Sequence, residues 1–356
     1  MSGTPVRVVI LTLLLAACGS STPPQPSAGP RTTEAATAST APTDPATSEP
    51  SATSQPGDGV PDPAGRIAFG RITRQDPNFG QVIAIWAIDP DGSDLLQLNG
   101  GESAFPAWSP DGSRLAFTQR QADGSWQIAT MAPDGSDVRV LTTDNVISEV
   151  PSWSPDGTWL AYDSSPTLPG GDGFHTTLWR IDADGSNPTQ LGDPSTFDVE
   201  PRVSPDGTEV AFERLTFDGG IQRQALVVRD IETGVERVIT AAGTAVEHAN
   251  WSPAGAWLIY DVSPVLGGAV PNDQVERIAA DGSGVPVVLF PATEQQGGFK
   301  PWYSPDGGRI LFGCFMGGPA SSDAACLMDA DGSNVEILVN SGEHENHFSW
   351  GPPTRE

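Results

Sequence analysis

The chain has 356 residues and a formal charge of −27, from 45 Asp and Glu against 18 Lys and Arg. That balance excludes sequence-independent binding to DNA or RNA, which needs basic side chains over phosphates, and charge-driven docking to anionic lipid. Its 40 Gly and 34 Pro mark a turn-rich chain without the Gly-X-Y period of collagen.

Arg7 and the apolar run from Val8 to Leu15 read as an export signal, too short to remain as a membrane-spanning helix. The run ends Leu15-Ala16-Ala17-Cys18, which resembles a bacterial lipobox. Residues 1–17 are therefore expected to be a lipoprotein signal peptide, and Cys18 to carry the acyl chains that hold the protein in a lipid bilayer. Ser, Thr, Pro and Ala dominate residues 18–64. Such a segment buries too little apolar surface to offset its ordering entropy, so a disordered tether is expected, open to glycosylation.

Residues 65–352 carry a repeat. Gly65-Arg66-Ile67-Ala68-Phe69 is half a copy, and Pro106-Ala107-Trp108-Ser109-Pro110-Asp111-Gly112, followed by Leu115-Ala116-Phe117, is the first full one. Further copies place the Ser of Ser-Pro at 154, 204, 252 and 304, so the steps from Ser109 are 45, 50, 48 and 52 residues. A period in this range, built of short strands and Gly turns, marks a β-propeller. Within a copy, the Trp-Ser stretch is a first strand and Ser-Pro-Asp-Gly a tight turn. Leu-Ala-Phe is a second strand, apolar on consecutive positions and so buried on both faces. A third strand then leads to a second turn, seen at Asp91-Gly92-Ser93, Asp134-Gly135-Ser136, Asp184-Gly185-Ser186, Glu232-Thr233-Gly234, Asp281-Gly282-Ser283 and Asp331-Gly332-Ser333. A short fourth strand closes the copy. The second turn occurs six times and the full first motif five. The C-terminal stretch Asn346-His347-Phe348-Ser349-Trp350 supplies the missing first strand. The expected fold is all-β: a six-bladed β-propeller of four-stranded blades, its first blade closed by the C-terminal strand.

The repeat resembles the TolB-type propeller repeat, one of the WD40-like Pro-Asp repeats, over residues 65–352. Departures are Val203 and Tyr303 for Trp and Ala254 for the turn Asp. The α/β domain that precedes the propeller in TolB itself has no counterpart here; the tether stands in its position.

The longest expected insertions, 71–81, 164–176, 263–273 and 313–325, join second to third strands on one face, where variable loops on a rigid scaffold carry function. First strands line a propeller's axis. Residues just before the Trp position should gather at a funnel on that same face: Glu149, Glu200, Glu247, His248, Lys300 and His347, a candidate ligand-binding set. The Asp-x-Asp-Gly-Ser segments lack the Gly and Glu positions of a calcium loop and read as β-turns. His-Glu-Asn-His at 344–347 is not the zinc signature. No metal, cofactor or catalytic residue is expected. Cys314 and Cys326 bracket one insertion and are expected to form a disulfide. The recurring Trp108, Trp153, Trp251 and Trp350 read as packing between blades rather than as a sugar platform.

The function expected is a membrane-anchored module on the extracytoplasmic side of a bacterial envelope. It would bind an envelope protein, a peptide or a glycan through the loop-rich face and funnel, as a monomer and without nucleic acid. No nucleophile elbow or appended hydrolase domain points to an enzyme. Two other readings stand: a solute-binding or sensor lipoprotein, and a metal-dependent, carbohydrate-lyase-like enzyme acting in the funnel, as the resemblance to propellers with similar repeats implies.

Overall fold

The computed structural model describes residues 65–76, 80–143, 147–166, 175–218, 221–240, 245–263, 273–317, 324–341 and 344–353. The expected signal peptide, Cys18 and the tether lie outside them. Among the described residues every regular element is a strand. The first three are β1 (Ile67–Asp76), β2 (Gly80–Ile88) and β3 (Leu96–Gln97). Then come β4 (Ser103–Trp108), β5 (Leu115–Arg120), β6 (Trp126–Met131) and β7 (Arg139–Val140). The next repeat holds β8 (Ile147–Trp153), β9 (Trp159–Ser165), β10 (Thr177–Asp182) and β11 (Thr189–Gln190). It is followed by β12 (Phe197–Val203), β13 (Glu209–Asp218), β14 (Ile221–Asp230) and β15 (Glu236–Val238). Next are β16 (Ala245–Trp251), β17 (Trp257–Ser263), β18 (Gln274–Ala279) and β19 (Val287–Phe290). The last are β20 (Gln296–Tyr303), β21 (Arg309–Met316), β22 (Ala324–Asp329), β23 (Glu336–Val339) and β24 (Glu345–Trp350).

The strands form a β-propeller, but not six separate sheets. Four sheets are isolated four-stranded blades: β24-β1-β2-β3, β12 to β15, β16 to β19 and β20 to β23. The other eight strands form one sheet, in which the meanders β4 to β7 and β8 to β11 are joined by a single parallel pair, Trp126↔Ile147. That one backbone contact accounts for the difference from the expected six. First strands touch in sequence from β4 through β8, β12, β16 and β20 to β24, and β24 touches β4, so they close a ring.

The turns explain the local order. In the first copy Gly112 donates its N–H to Ser109 O and sits at φ 70°, where a Cβ is disfavoured. The Asp111 carboxylate accepts from Ser109 Oγ and from the Ser113 N–H. The Ala254 copy loses that carboxylate yet keeps its turn, because the Gly255 N–H still reaches Ser252 O at 2.8 Å. Two of the recurring Trp indoles bond between repeats: Trp153 Nε1 donates to Ala107 O and Trp251 Nε1 to Arg202 O, at 3.0 and 2.9 Å.

The aromatic residue that ends each Leu-Ala-Phe segment is buried: Phe69, Phe117, Tyr162, Phe212, Tyr260 and Phe312. The stretch expected as a loop over 71–81 is mostly strand, because β1 and β2 stay paired out to Asp76↔Gly80. The 313–325 insertion is likewise shortened at both ends by β21 and β22. Most of the 164–176 and 263–273 insertions lies outside the described residues.

Cys314 and Cys326 form a disulfide between neighbouring antiparallel strands, with Cα atoms 5.8 Å apart. The bond closes a short loop, 12 residues in sequence. Replacing both cysteines by Ala is expected to lower the unfolding free energy by about 3 kcal/mol, the loop-entropy value for a loop of this size. Urea titration of the oxidised and double-Ala proteins measures it; equal midpoints would refute the contribution.

Candidate functional site

Every first strand carries a bulge at the same place. Opposite the buried aromatic of the second strand stand two residues instead of one: Phe105-Pro106, Val150-Pro151, Glu200-Pro201, His248-Ala249, Lys300-Pro301 and His347-Phe348. The first of each pair is in the left-handed region, with φ between 51° and 55°. Four of the six second residues are Pro, which suits a position that makes no ladder bond. Holding non-Gly residues there costs on the order of 1–3 kcal/mol each, most clearly at β-branched Val150.

Side chains of the preceding second strand hold the bulges in place. In four of the six copies the residue after the Leu-Ala-Phe segment accepts the backbone N–H of the next repeat's left-handed residue. Thr118 Oγ1 takes Val150 N at 3.2 Å, Asp163 takes Glu200 N at 2.9 Å, Glu213 takes His248 N, and Asp261 takes Lys300 N at 2.9 Å. The series stops at Gly313 and Gly70, the two equivalent positions that flank the closing strand. At Gly313 the Phe299 ring fills the space a side chain would need.

The six left-handed residues surround a cavity of about 20 Å³. One water needs roughly 10–15 Å³ by the same measure, so the cavity takes one or two small groups, not a whole sugar or peptide. Besides the ring, its wall includes Arg202, Asn250 and Trp302, each two positions further along its strand. The wall is thus drawn from the ring and the residues after it, on the Ser-Pro-Asp-Gly side of the ring. Of the expected set, Glu200, His248, Lys300 and His347 line this cavity. Glu149 and Glu247 precede the ring residues Val150 and His248 and do not. The expected set is therefore divided: the left-handed residues of the bulges line the axial cavity, while Glu149 and Glu247, one position earlier, stand off it.

The wall is densely charged. Lys300 Nζ donates to His347 Nε2 at 2.8 Å. Burial and the Lys300 charge hold His347 well below the usual histidine range, so it is neutral. Burial works against the His248 imidazolium, but Asp261 and Glu200 outweigh it and raise its pKa to about 9. His248 Nδ1 donates to Asp261 at 3.0 Å, while its Nε2 is 3.7 Å from Glu200. Glu247, His248 and Asp261 present one ligand atom each within 4.8 Å of one another. His248 Nδ1 and Asp261 are already bonded to each other, which fits an ion pair better than a metal-ligand set.

The carboxyls behind the wall repel one another. Burial, then Asp163 and Glu200, push Glu149 up to about 8, and its Oε1 is enclosed without a hydrogen-bond partner. Burial raises Asp163 to about 7, and Glu247 and Asp273 to about 6. It also carries Glu213 well above the carboxylate range. A carboxyl whose folded pKa exceeds its unfolded one stabilises the fold while protonated; that contribution fades as pH rises through the folded value. The same direction holds for His248, whose contribution is full below about 6.5 and lost through about 9. The melting temperature is therefore expected to fall between pH 5 and 9, by the equivalent of about 1–3 kcal/mol after allowing for partial solvation. Glu149→Gln should raise it at pH 8.5 and leave it nearly unchanged at pH 5. Calorimetry across the range checks both, and stability rising with pH would refute the assignment.

Sequence reasoning missed Asp163, Glu213 and Asp261, and with them Arg202, Asn250 and Trp302. The first three had a signal: a polar residue directly after the apolar triplet, as in Leu160-Ala161-Tyr162-Asp163.

The ring of bulged first strands defines a β-propeller with a narrow, charged axis. The chain belongs to the TolB beta propeller domain family, which matches residues 65–263. An uncharacterized protein of Agrobacterium fabrum is 29% identical over 159 residues, covering 42% of this chain and 50% of that protein. The Tol-Pal system protein TolB of Gluconobacter oxydans is 33% identical over 87 residues, covering 24% of this chain and 19% of that one. The chain thus spans half or less of the length of these two relatives. The crystal structure of TolB from Acinetobacter baumannii superposes with a TM-score of 0.64 at 20% identity, over 82% of this chain and 67% of that one. At that identity the likeness speaks to the fold alone.

Proposed function

We propose that the protein is an extracytoplasmic binding module for protein or peptide partners. A six-bladed ring, with the eight-stranded sheet acting as two blades, would be held on a lipid-anchored tether at Cys18. The observation that carries this reading is the size of the axial cavity. At about 20 Å³ it is too small to enclose a sugar or peptide substrate but large enough for the tip of a docked chain. The family supports it, since one relative is named as a Tol-Pal system protein. The Leu15-Ala16-Ala17-Cys18 tetrad and the Ser/Thr/Pro-rich segment after it support the anchor and the envelope location.

Site-specific photocrosslinking in the native cells tests the reading. Probes at Ser113 and Thr208 report the Ser-Pro-Asp-Gly end, one at Phe217 the opposite end, and one at exposed Val285 the outer rim. The expected result is one envelope protein captured from the Ser-Pro-Asp-Gly end and not from the rim. Capture from Phe217 alone would move the interface to the loop-rich end, and capture from none would reject the binding role. Loss of membrane attachment in Cys18→Ser tests the anchor separately.

A further inference from the structure

The axial wall is rich in donors that lack acceptors. His347 uses Nε2 to accept from Lys300, so its single ring proton is on Nδ1. That Nδ1 is buried with no partner, on a residue only 7% exposed. His248 uses Nδ1 toward Asp261, which leaves Nε2–H with nothing closer than Glu200 at 3.7 Å. Arg202 donates Nε to Asn250 and Nη1 to Pro201 O, but Nη2 has only Glu200 Oε2, 3.9 Å away. Three repeats thus bring residues with unsatisfied donors to the wall of one small cavity. The acceptor nearest to two of them, Glu200, is too far to bond either.

We propose that this cavity is a carboxylate pocket, which takes the carboxylate of a partner chain on the donors of Arg202, His248 and His347. The proposal rests on the binding-module reading and names the chemistry that the module recognises. A planar guanidinium edge suits a carboxylate. The Trp302 and Phe105 rings wall the site, and the Phe105 ring lies 4.0 Å from that of His347. They keep the local dielectric low, which strengthens charge-assisted bonds. A cavity of about 20 Å³ fits the end group of a longer ligand. A cation would instead meet Arg202, Lys300 and the charged His248. Glu200 is the one wall carboxylate, and it competes with the incoming group.

The chain has four histidines, so ring resonances of the full-length protein are resolvable by NMR. Acetate added at constant ionic strength is expected to shift the His347 and His248 signals saturably and to leave His175 still. Acetamide, of the same shape but neutral, should shift neither. Glu200→Gln, which removes the competing charge at nearly constant volume, should bind acetate about tenfold more tightly. Short peptides with a free C-terminus, an amidated C-terminus, or an internal Glu then tell which carboxylate enters. Histidine signals that do not respond to acetate, or Glu200→Gln binding it more weakly, would overturn the pocket. Failure here with photocrosslinking intact removes the carboxylate pocket alone; failure of both removes the binding module.

Discussion

A chain ending at residue 343 is expected to show no cooperative unfolding transition. The lost strand, β24, is the first strand of the sheet it shares with β1, pairing Ile67↔Trp350 and Arg71↔Glu345. Phe348 and Trp350 are packed in one cluster with Ile67 and Phe69 of their own sheet and Leu311, Ala325 and Leu327 of the last. Truncating one such aromatic to Ala costs about 3–5 kcal/mol. Glu345 is fully buried and pairs with the Arg71 guanidinium at 3.0 Å; breaking such a pair costs about as much again. The Ser349 hydroxyl also accepts the Trp108 N–H, and the Gly351 N–H donates to Arg66 O. Together these come to roughly 10–17 kcal/mol, as much as the roughly 5–15 kcal/mol that stabilises an ordinary domain. Circular dichroism on heating distinguishes the outcomes. Trp350→Ala should still melt cooperatively, at a lower temperature. A truncated chain that melts like the full one would show that the ring does not depend on this strand.

Asp261→Ala is expected to cost about 3–5 kcal/mol, more than any other single side chain among those that hold the bulges. Its carboxylate, 1% exposed, accepts both the Lys300 N–H and His248 Nδ1. Without it the His248 imidazolium loses its main partner and the Lys300 amide is left without its acceptor. Asp261→Asn keeps an acceptor for that amide and should cost about 1–2 kcal/mol. Two measurements check this. Denaturant titration gives the stability difference, and NMR titration of His248 in Asp261→Ala should show a pKa well below about 9. A loss under about 1 kcal/mol, with His248 unchanged, would mean that Asp261 is incidental to the ring.

The repeats, their turns and the closing strand were legible in the sequence because turn chemistry is local. Ser-Pro-Asp-Gly specifies its hairpin wherever it stands, and the half-copies at Ile67 and Trp350 can only pair with each other. The axis was less legible. The pairs Glu149-Val150 and Glu247-His248 look alike as strings, yet only the second member of each turns to the axis. That choice is made by a bulge, two residues against one, and its one sequence mark is a Pro that two of the six copies lack. The joining of two meanders through Trp126↔Ile147 rests on one backbone pair and has no residue signature. Asp163, Glu213 and Asp261 act on the repeat after their own, a relation between chain segments that spacing within a repeat does not reveal.

The bulge has a consequence for how such a protein acquires new specificity. At four junctions, those of Val150, Glu200, His248 and Lys300, a bond that fixes the left-handed residue runs through its backbone N–H. Phe105, Val150, Glu200, His248, Lys300 and His347 adopt one conformation although their side chains range from aromatic and aliphatic to acidic and basic. The axis is therefore a six-position code that the scaffold reads at few places, chiefly where His248 bonds Asp261 and Lys300 bonds His347. A single substitution at Val150 or Glu200 can change the charge or shape offered to a ligand while the backbone N–H bond that holds that position stays as it is.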